Sequence, residues 1–254
     1  MHKAKKSLGQ NFLKSALALH KIVEAGELTT GDTVLEIGPG KGALTEQLLA
    51  NSLQVISIEK DRELVEFLQN KFANEIKNKK LILIEGDCLT LDPKSYQLQA
   101  NTYKLIANIP YNITGAILKK FLTEKNQPER MVLMIQHEVA KRIVAGDHKE
   151  SILSISVKAY GEPKMIMKVP ARYFSPAPKV DSAVIAIKNI SRKNFENMEI
   201  ENNFWEIVKT GFAHKRKQLA GNLKGVVKDE ILKSFDKKRA EDLSLDDWLR
   251  ISSL

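Results

Sequence analysis

A doubly wound α/β sheet followed by a small all-helical domain is the fold this sequence predicts. Three observations predict it. Over the first two-thirds of the chain, short apolar runs of strand character alternate with segments of helical spacing. A glycine-rich stretch separates the first of these strands from the helix after it. Beyond residue 189 the strand signals stop and only helical patterns remain.

The elements follow in order. "TVLEI" (33–37) is a β-branched run that ends at glycines, and "ALTEQLLA" (43–50) has helical spacing. "QVISIE" (54–59) is a second strand, and "ELVEFLQNKF" (63–72) carries apolar residues three and four apart. "LILIE" (81–85), "YKLIAN" (103–108) and "MVLMIQ" (131–136) are near-continuous apolar runs, as in strands covered on both faces by helices. "GAILKKFL" (115–122) predicts a helix after the fourth strand. "SILSISVKAY" (151–160) fits helix or strand by pattern alone. "PKMIMKVP" and "AVIAIKNI" predict a strand pair, and "ARYFSPAPKVDS" between them reads as a proline-punctuated loop too polar for the core. "ISRKNFENMEIENN" then reads as a polar linker. It leads into helices at "NFWEIVKTGFAHKRKQLAGNL", "KDEILKSF" and "SLDDWLRISS", the last with Ser244 as N-cap and Asp247 in its first turn. The expected division is residues 1–189 and 190–254.

Composition narrows the classes. Hydrophobic residues make up 43% of the 254, enough for a core and against disorder. No apolar run approaches the ~18 residues of a membrane span. The basic N-terminus lacks the apolar stretch of a secretory signal and has no arginine. One cysteine, Cys88, rules out an internal disulfide and a Cys-based zinc site, and fits a reducing compartment. His2, His20, His137, His148 and His214 are scattered without metal-ligand spacing. A cytoplasmic, monomeric protein without metal or membrane partner is expected.

The formal charge is +9, and its placement says more than its size. No acid precedes Glu24, while Lys3, Lys5, Lys6, Lys14 and Lys21 do. A second acid-free window, 207–228, holds Lys209, Lys215, Arg216, Lys217, Lys224 and Lys228. Two such windows point to a polyanion, and to nucleic acid first.

Three strand ends predict a ligand site. In "LEIGPGKGAL" the glycines Gly38, Gly40 and Gly42 permit positive φ and close ligand approach. Gly38, Gly40 and Ala43 also satisfy the loose dinucleotide pattern, and a ligand-free turn has the same glycines. The GK[ST] of a P-loop is absent, because Gly42 follows Lys41. Glu59 ends the second strand, where a carboxylate accepts from ribose hydroxyls. Asp87 follows the third, where an acid accepts from an adenine amine. Together they favour a bound adenosine.

The fourth strand runs into Asn108, Ile109, Pro110 and Tyr111. Pro110 keeps Ile109 extended and removes an N–H. The Asn108 side-chain oxygen and the Ile109 carbonyl can then face one rim, with Tyr111 beside them. Two acceptors and a flat ring suit the exocyclic amine of a flipped adenine. With S-adenosylmethionine as cofactor, the electrophile would be its sulfonium methyl, and catalysis would rest on positioning and electrostatics.

These segments also carry a resemblance. "GQNFL" (9–13), "EIGPGKG" (36–42), "IEKD" (58–61), "GD" (86–87), "NIPYNI" (108–113), "FSPAPKVDSAV" (174–184), "GFAHKRKQL", "NLKG" and "RAEDLS" extend over nearly the whole chain. With them the chain resembles the ribosomal RNA adenine dimethyltransferase family, which modifies two adjacent adenosines near the end of small-subunit rRNA. The resemblance implies a Rossmann-like class I methyltransferase sheet with a small C-terminal all-α domain. It implies S-adenosylmethionine as cofactor and small-subunit rRNA, in an immature small ribosomal subunit, as partner. It implies that 1–189 binds the cofactor, that 190–254 binds RNA, and that 151–160 is helical. It places Asn11 and Leu13 over the cofactor, with Gly38, Glu59, Asp87 and Asn108 as further contacts. It gives Phe174 the role of stacking on the target base opposite Tyr111. Cys88 stands where the family more often has a small residue such as Ala.

Three other classes compete. Macrolide-resistance methyltransferases share the cofactor motifs but act on large-subunit rRNA, and more often have Asn where this chain has Asp181. A non-catalytic ribosome-assembly factor would not need Asn108–Tyr111 and Glu59 intact. A NAD-dependent enzyme leaves the Asn-Pro-Tyr turn and the basic windows unexplained.

Overall fold

The computed structural model describes residues 4, 5, 8–145, 147, 149–235 and 237–253. His2, Lys3, Lys6 and His148 lie outside the described residues. The chain forms two compact units, Met1–Ala140 with Glu162–Ile190, and Lys141–Gly161 with Ser191–Leu254. The expected division placed 141–161 in the first domain, whereas this excursion groups with the C-terminal helices.

The chain opens with β1 (Phe12–Leu13) and α1 (Ala16–Gly26). Strand and helix then alternate through β2 (Thr33–Ile37), α2 (Ala43–Asn51), β3 (Gln54–Glu59), α3 (Arg62–Lys71), α4 (Ala73–Lys77) and β4 (Leu81–Glu85). Next come β5 (Tyr103–Asn108), α5 (Thr114–Thr123), β6 (Arg130–Gln136), α6 (His137–Val144) and α7 (Ile152–Lys158). The ambiguous segment 151–160 is thus helical, with Ser151 and Ser154 forming a capping box at its start. The chain returns as β7 (Glu162–Val169), β8 (Phe174–Ser175) and β9 (Ser182–Lys188).

Seven strands form one sheet in the order β4-β3-β2-β5-β6-β9-β7. The first five are parallel, and β9 runs antiparallel between β6 and β7. The central strands are buried along nearly their whole length, which explains their continuous apolar runs. Edge strand β4 is mostly half-buried. The chain winds outward from β2 through β3 to β4, then resumes on the other side of β2 with β5. The order therefore reverses between β2 and β5, and such a switch point opens a crevice at the carboxyl ends of the strands. Gly38 and Asn108 both lie there.

Several elements have no counterpart in the expected pattern, short helix α4 among them. Helix α1 is capped by the Ser15 side chain, which accepts from Ala18 N at 3.3 Å, and it buries Ala18 and Ile22 completely. Helix α6 directly continues β6. A two-residue antiparallel ladder joins β1 to β8, pairing Phe12 with Ser175 and Leu13 with Phe174. That pairing corrects the loop assignment for "ARYFSPAPKVDS": Phe174 is only 3% exposed and belongs to the core with Leu13, Val169 and Val184.

The second unit holds α8 (Met198–Gly211), α9 (Leu219–Leu223), α10 (Asp229–Lys233) and α11 (Leu245–Ser252). Its polar-looking entry is no plain linker. Phe195 is buried against Tyr160 and Phe204, and Asn197 caps α8 by accepting from Ile200 N at 2.9 Å. Buried Glu201 accepts from Tyr160 and pairs with Arg192. The long helix expected over 203–223 is instead broken after Gly211. A Cβ there would stand 2.3 Å from the Trp248 ring, so this close approach requires glycine. The expected cap at Ser244 is present, with its hydroxyl accepting from Asp247 N at 3.2 Å.

Glu36 is a buried carboxyl within the sheet of the first unit. Its side chain is buried in β2, and Oε2 accepts from Thr45 (2.8 Å) and Ser57 (2.7 Å). Oε1 is buried with no partner among the described residues. Burial pushes the carboxyl up to about 7. Between the ordinary value of 4.5 and about 7 the folded chain holds a proton that the unfolded chain has released, so stability falls as pH rises through that window. Glu36→Gln is expected to abolish that fall, a difference on the order of 3 kcal/mol at pH 8. Thermal midpoints of both proteins from about pH 4.5 to 8 check it: equal slopes would show that Glu36 stays ionised throughout.

Candidate active site

A cleft of about 430 Å³ opens at the reversal of strand order. Gly38, Glu59, Asp87, Asn108, Ile109, Pro110 and Tyr111 line it, as do Asn11 and Leu13. Nine of the ten predicted site residues thus come together from five separate segments; the tenth is Phe174.

The glycine loop forms one wall. Gly40 has φ +59°, and a Cβ on it would lie 3.1 Å from the Phe12 ring. The N-terminal segment therefore packs directly on this backbone. The Gly40 N–H donates to Glu59 Oε2 at 3.2 Å, and Asp61 N donates to Oε1 at 2.9 Å. Both oxygens are so held in place at the end of β3. Burial raises the Glu59 carboxyl, and the two N–H groups oppose that rise. Asp87 stands just past β4. Lys60 donates to its Oδ2 and Leu89 N to its Oδ1, both at 2.9 Å, and these bonds hold its carboxyl below the usual value. Cys88 beside it is buried, and desolvation pushes its thiol up to about 11. It remains a neutral thiol.

The opposite wall is the end of β5. Asn108 Nδ2 donates to the Asn11 carbonyl at 3.3 Å. A backbone carbonyl only accepts, so this contact fixes which end of the carboxamide is which and leaves Oδ1 as the acceptor Asn108 can offer. Pro110 is extended (φ −59°, ψ 134°), and residues Tyr111–Ile113 make a single 3-10 turn before α5. The Ile109 side chain is buried. The Tyr111 hydroxyl is 2.6 Å from Ser182 Oγ, at the start of β9, and its ring is half-buried.

Phe174 does not line the cleft. Strand alternation across the β1–β8 ladder turns its ring into the core with Leu13 and leaves its neighbour Ser175 at the cleft wall. The structure therefore does not set Phe174 opposite Tyr111 as a stacking partner. Asp181 is structural here, accepting from Ala171 N at 3.0 Å and pairing with Lys168 at 2.9 Å.

Sequence reasoning missed two features. Ser182, beside Asp181 in "PKVDSAV", braces Tyr111. Asp61, in "IEKD", receives Lys5 Nζ at 2.7 Å and Gln10 Nε2 at 2.8 Å. Both lie inside quoted motifs, but only the fold brings their partners near.

Comparison with known proteins adds a family. The model of the family described as ribosomal RNA adenine dimethylase matches residues 1–254. The chain belongs to the ribosomal RNA adenine dimethylase family. "Ribosomal RNA small subunit methyltransferase A" of Dehalococcoides mccartyi (strain CBDB1) is 41% identical over 98% of this chain and 87% of its own length. A dimethyladenosine transferase from Plasmodium falciparum has a similar structure, with TM-score 0.82, 25% identity, and coverage of 94% of this chain and 95% of its own. The 23S rRNA methyltransferase ErmE also aligns, with TM-score 0.79, 26% identity, and coverage of 96% and 98%. As a dimethylase-family member the chain is an rRNA methyltransferase with a Rossmann-like sheet and a helical C-terminal region. Among the described residues no helix is long and apolar enough to cross a membrane.

Proposed function

We propose that this enzyme dimethylates the N6 amines of two adjacent adenosines near the 3′ end of small-subunit rRNA, acting on an immature subunit as a monomer with S-adenosylmethionine as methyl donor. The observation that carries the chemistry is the Asn11 carbonyl on Asn108 Nδ2. It orients the amide oxygen, rather than the amine, as the group available to a substrate. Choice of the small subunit rests on the 41% identity to a small-subunit methyltransferase, against 26% to ErmE.

The cleft suits S-adenosylmethionine by its donor and acceptor set. Positive-φ glycines allow close approach of a polar chain, a doubly anchored Glu59 carboxylate suits a ribose diol, and Asp87 suits an adenine amine. When bound, S-adenosylmethionine supplies an electrophilic methyl group on sulfur. Asn108 Oδ1 and the Ile109 carbonyl accept the two N–H bonds of the target amine and turn its lone pair out of conjugation. Pro110 holds that turn extended, and Tyr111 offers its face to the flipped base. No strong base is required, because the amine proton becomes acidic only after attack. For the second methylation one N–H remains, and one acceptor holds it. Phe174 could join this stack only by leaving the core.

Residues 190–254 are read as an RNA-binding domain, and the described face 213–218 is exposed and carries Lys215, Arg216 and Lys217. The test mixes the protein with radiolabelled S-adenosylmethionine and, in parallel reactions, small and large subunits from a strain lacking the modification. Label in small-subunit rRNA, recovered as dimethyladenosine, is expected. Label confined to large-subunit rRNA would favour the ErmE-like reading, and none at all would overturn both.

A further inference from the structure

The N-terminal segment reaches the cleft as an arm, and one buried carboxylate fastens it. Asp61 lies two residues past Glu59, and its side chain is 0% exposed. Lys5 Nζ stands 2.7 Å from Oδ1 and Gln10 Nε2 2.8 Å from Oδ2, while Lys5 N donates to Gln10 Oε1 at 2.7 Å. Burial alone would raise the Asp61 carboxyl, yet the bonds from Lys5 and Gln10 outweigh it and hold it below its ordinary value. Neither Lys5 nor Asp61 lines the cleft.

Between these anchors and β1 the segment passes over the site. A Cβ on Gly9 would be 3.2 Å from Pro110 Cβ, so the arm lies on the Asn-Pro-Tyr turn. Asn11 O reaches Asn108, and Phe12 covers Gly40. The same Asp61 gives its backbone N–H to Glu59. One residue thus ties the arm to the strand end that carries Glu59, the proposed ribose acceptor.

We propose that Asp61 is a positioning residue: by latching the arm through Lys5 and Gln10 it sets both the affinity for S-adenosylmethionine and the orientation of the Asn108 carboxamide. This rests on the proposed cofactor reading. The latch explains a charge buried beside the cleft without touching it. A carboxylate placed there only to cap α3 needs Glu63 N, at 3.2 Å, and no lysine.

The test compares Lys5→Met, Lys5→Arg, Gln10→Ala, Asp61→Asn and the Lys5→Met/Asp61→Asn double variant. Calorimetry gives the Kd for S-adenosylmethionine, and hydrogen exchange of residues 8–14 is followed without cofactor. Lys5→Met and Gln10→Ala are expected to raise Kd about fivefold and to speed exchange in 8–14, and Lys5→Arg to restore both toward wild type. Lys5 Nζ also meets the exposed Glu63 Oε1 at 2.9 Å, a pair worth little at the surface, so the double variant should bind about as weakly as Asp61→Asn alone, the Lys5–Asp61 contact being already lost in that single change. Unchanged Kd and exchange in Lys5→Met, or losses that multiply in the double variant, would overturn the latch. A wild-type protein that binds no S-adenosylmethionine would instead overturn the cofactor reading, and exchange of 8–14 would still decide the latch.

Discussion

Asn108→Ala is expected to slow methyl transfer about 100- to 1,000-fold while leaving RNA affinity within about twofold. The reasoning is one of when the interaction acts. Asn108 Oδ1 would accept from an amine whose N–H bonds become more polar as the nitrogen takes on positive charge. Its contribution therefore grows toward the transition state, and its loss appears in kcat rather than in binding. On this reading RNA affinity would rest mainly on cations meeting phosphates, and Asn108 carries no charge. Asn108→Asp gives a useful contrast. It keeps an acceptor but loses the donor to Asn11, so it would leave the arm and the side chain facing each other as two acceptors. Single-turnover rates and filter binding to small subunits, measured side by side, check both variants. Equal losses in binding and turnover would assign Asn108 to RNA recognition.

Replacing Lys215, Arg216 and Lys217 together by Gln is expected to weaken RNA binding by one to two orders of magnitude at low salt and to flatten its salt dependence. If each cation neutralises one phosphate, the slope of log K against log salt should shrink by roughly 2, at ~0.7–0.9 per contact. Turnover at saturating RNA should be nearly unchanged, because none of the three lines the cleft. Affinity measured from 50 to 300 mM salt, for wild type and variant, is the check. An unchanged slope would make this run a solvated face with no part in binding.

These two expectations draw on parts of the molecule that were unequally legible in the sequence. The parallel strands were readable because burial on both faces leaves a continuous apolar run, as in β5 and β6. Glu59, Asp87 and Asn108 were readable because strand ends in such a sheet share one rim. Phe174 was misplaced for a specific reason. Its neighbours are polar and proline-rich, and only the β1–β8 pairing, between segments about 160 residues apart, shows that its ring points inward. Shorter but still long separations, 71 and 56 residues, hid Ser182 from Tyr111 and Lys5 from Asp61. Periodicity reports on one face of one element, and it carries no information on a two-residue ladder. The need for glycine at 211 was hidden in the same way, because the Trp248 ring that excludes a Cβ there comes from another helix.

The basic loop after α8 has one further property. Asn222 Nδ2 donates to the Gly211 carbonyl at 2.6 Å and to the His214 carbonyl at 3.2 Å, and Lys217 N donates to His214 O at 3.0 Å. The backbone under Lys215, Arg216 and Lys217 is thereby ordered before any anion arrives. A flexible loop of the same charge would give up backbone freedom of roughly 1–2 kcal/mol per residue on engaging a phosphate chain. Here that entropy has already been surrendered during folding, so the attraction of three cations is opposed mainly by the freezing of their own side chains.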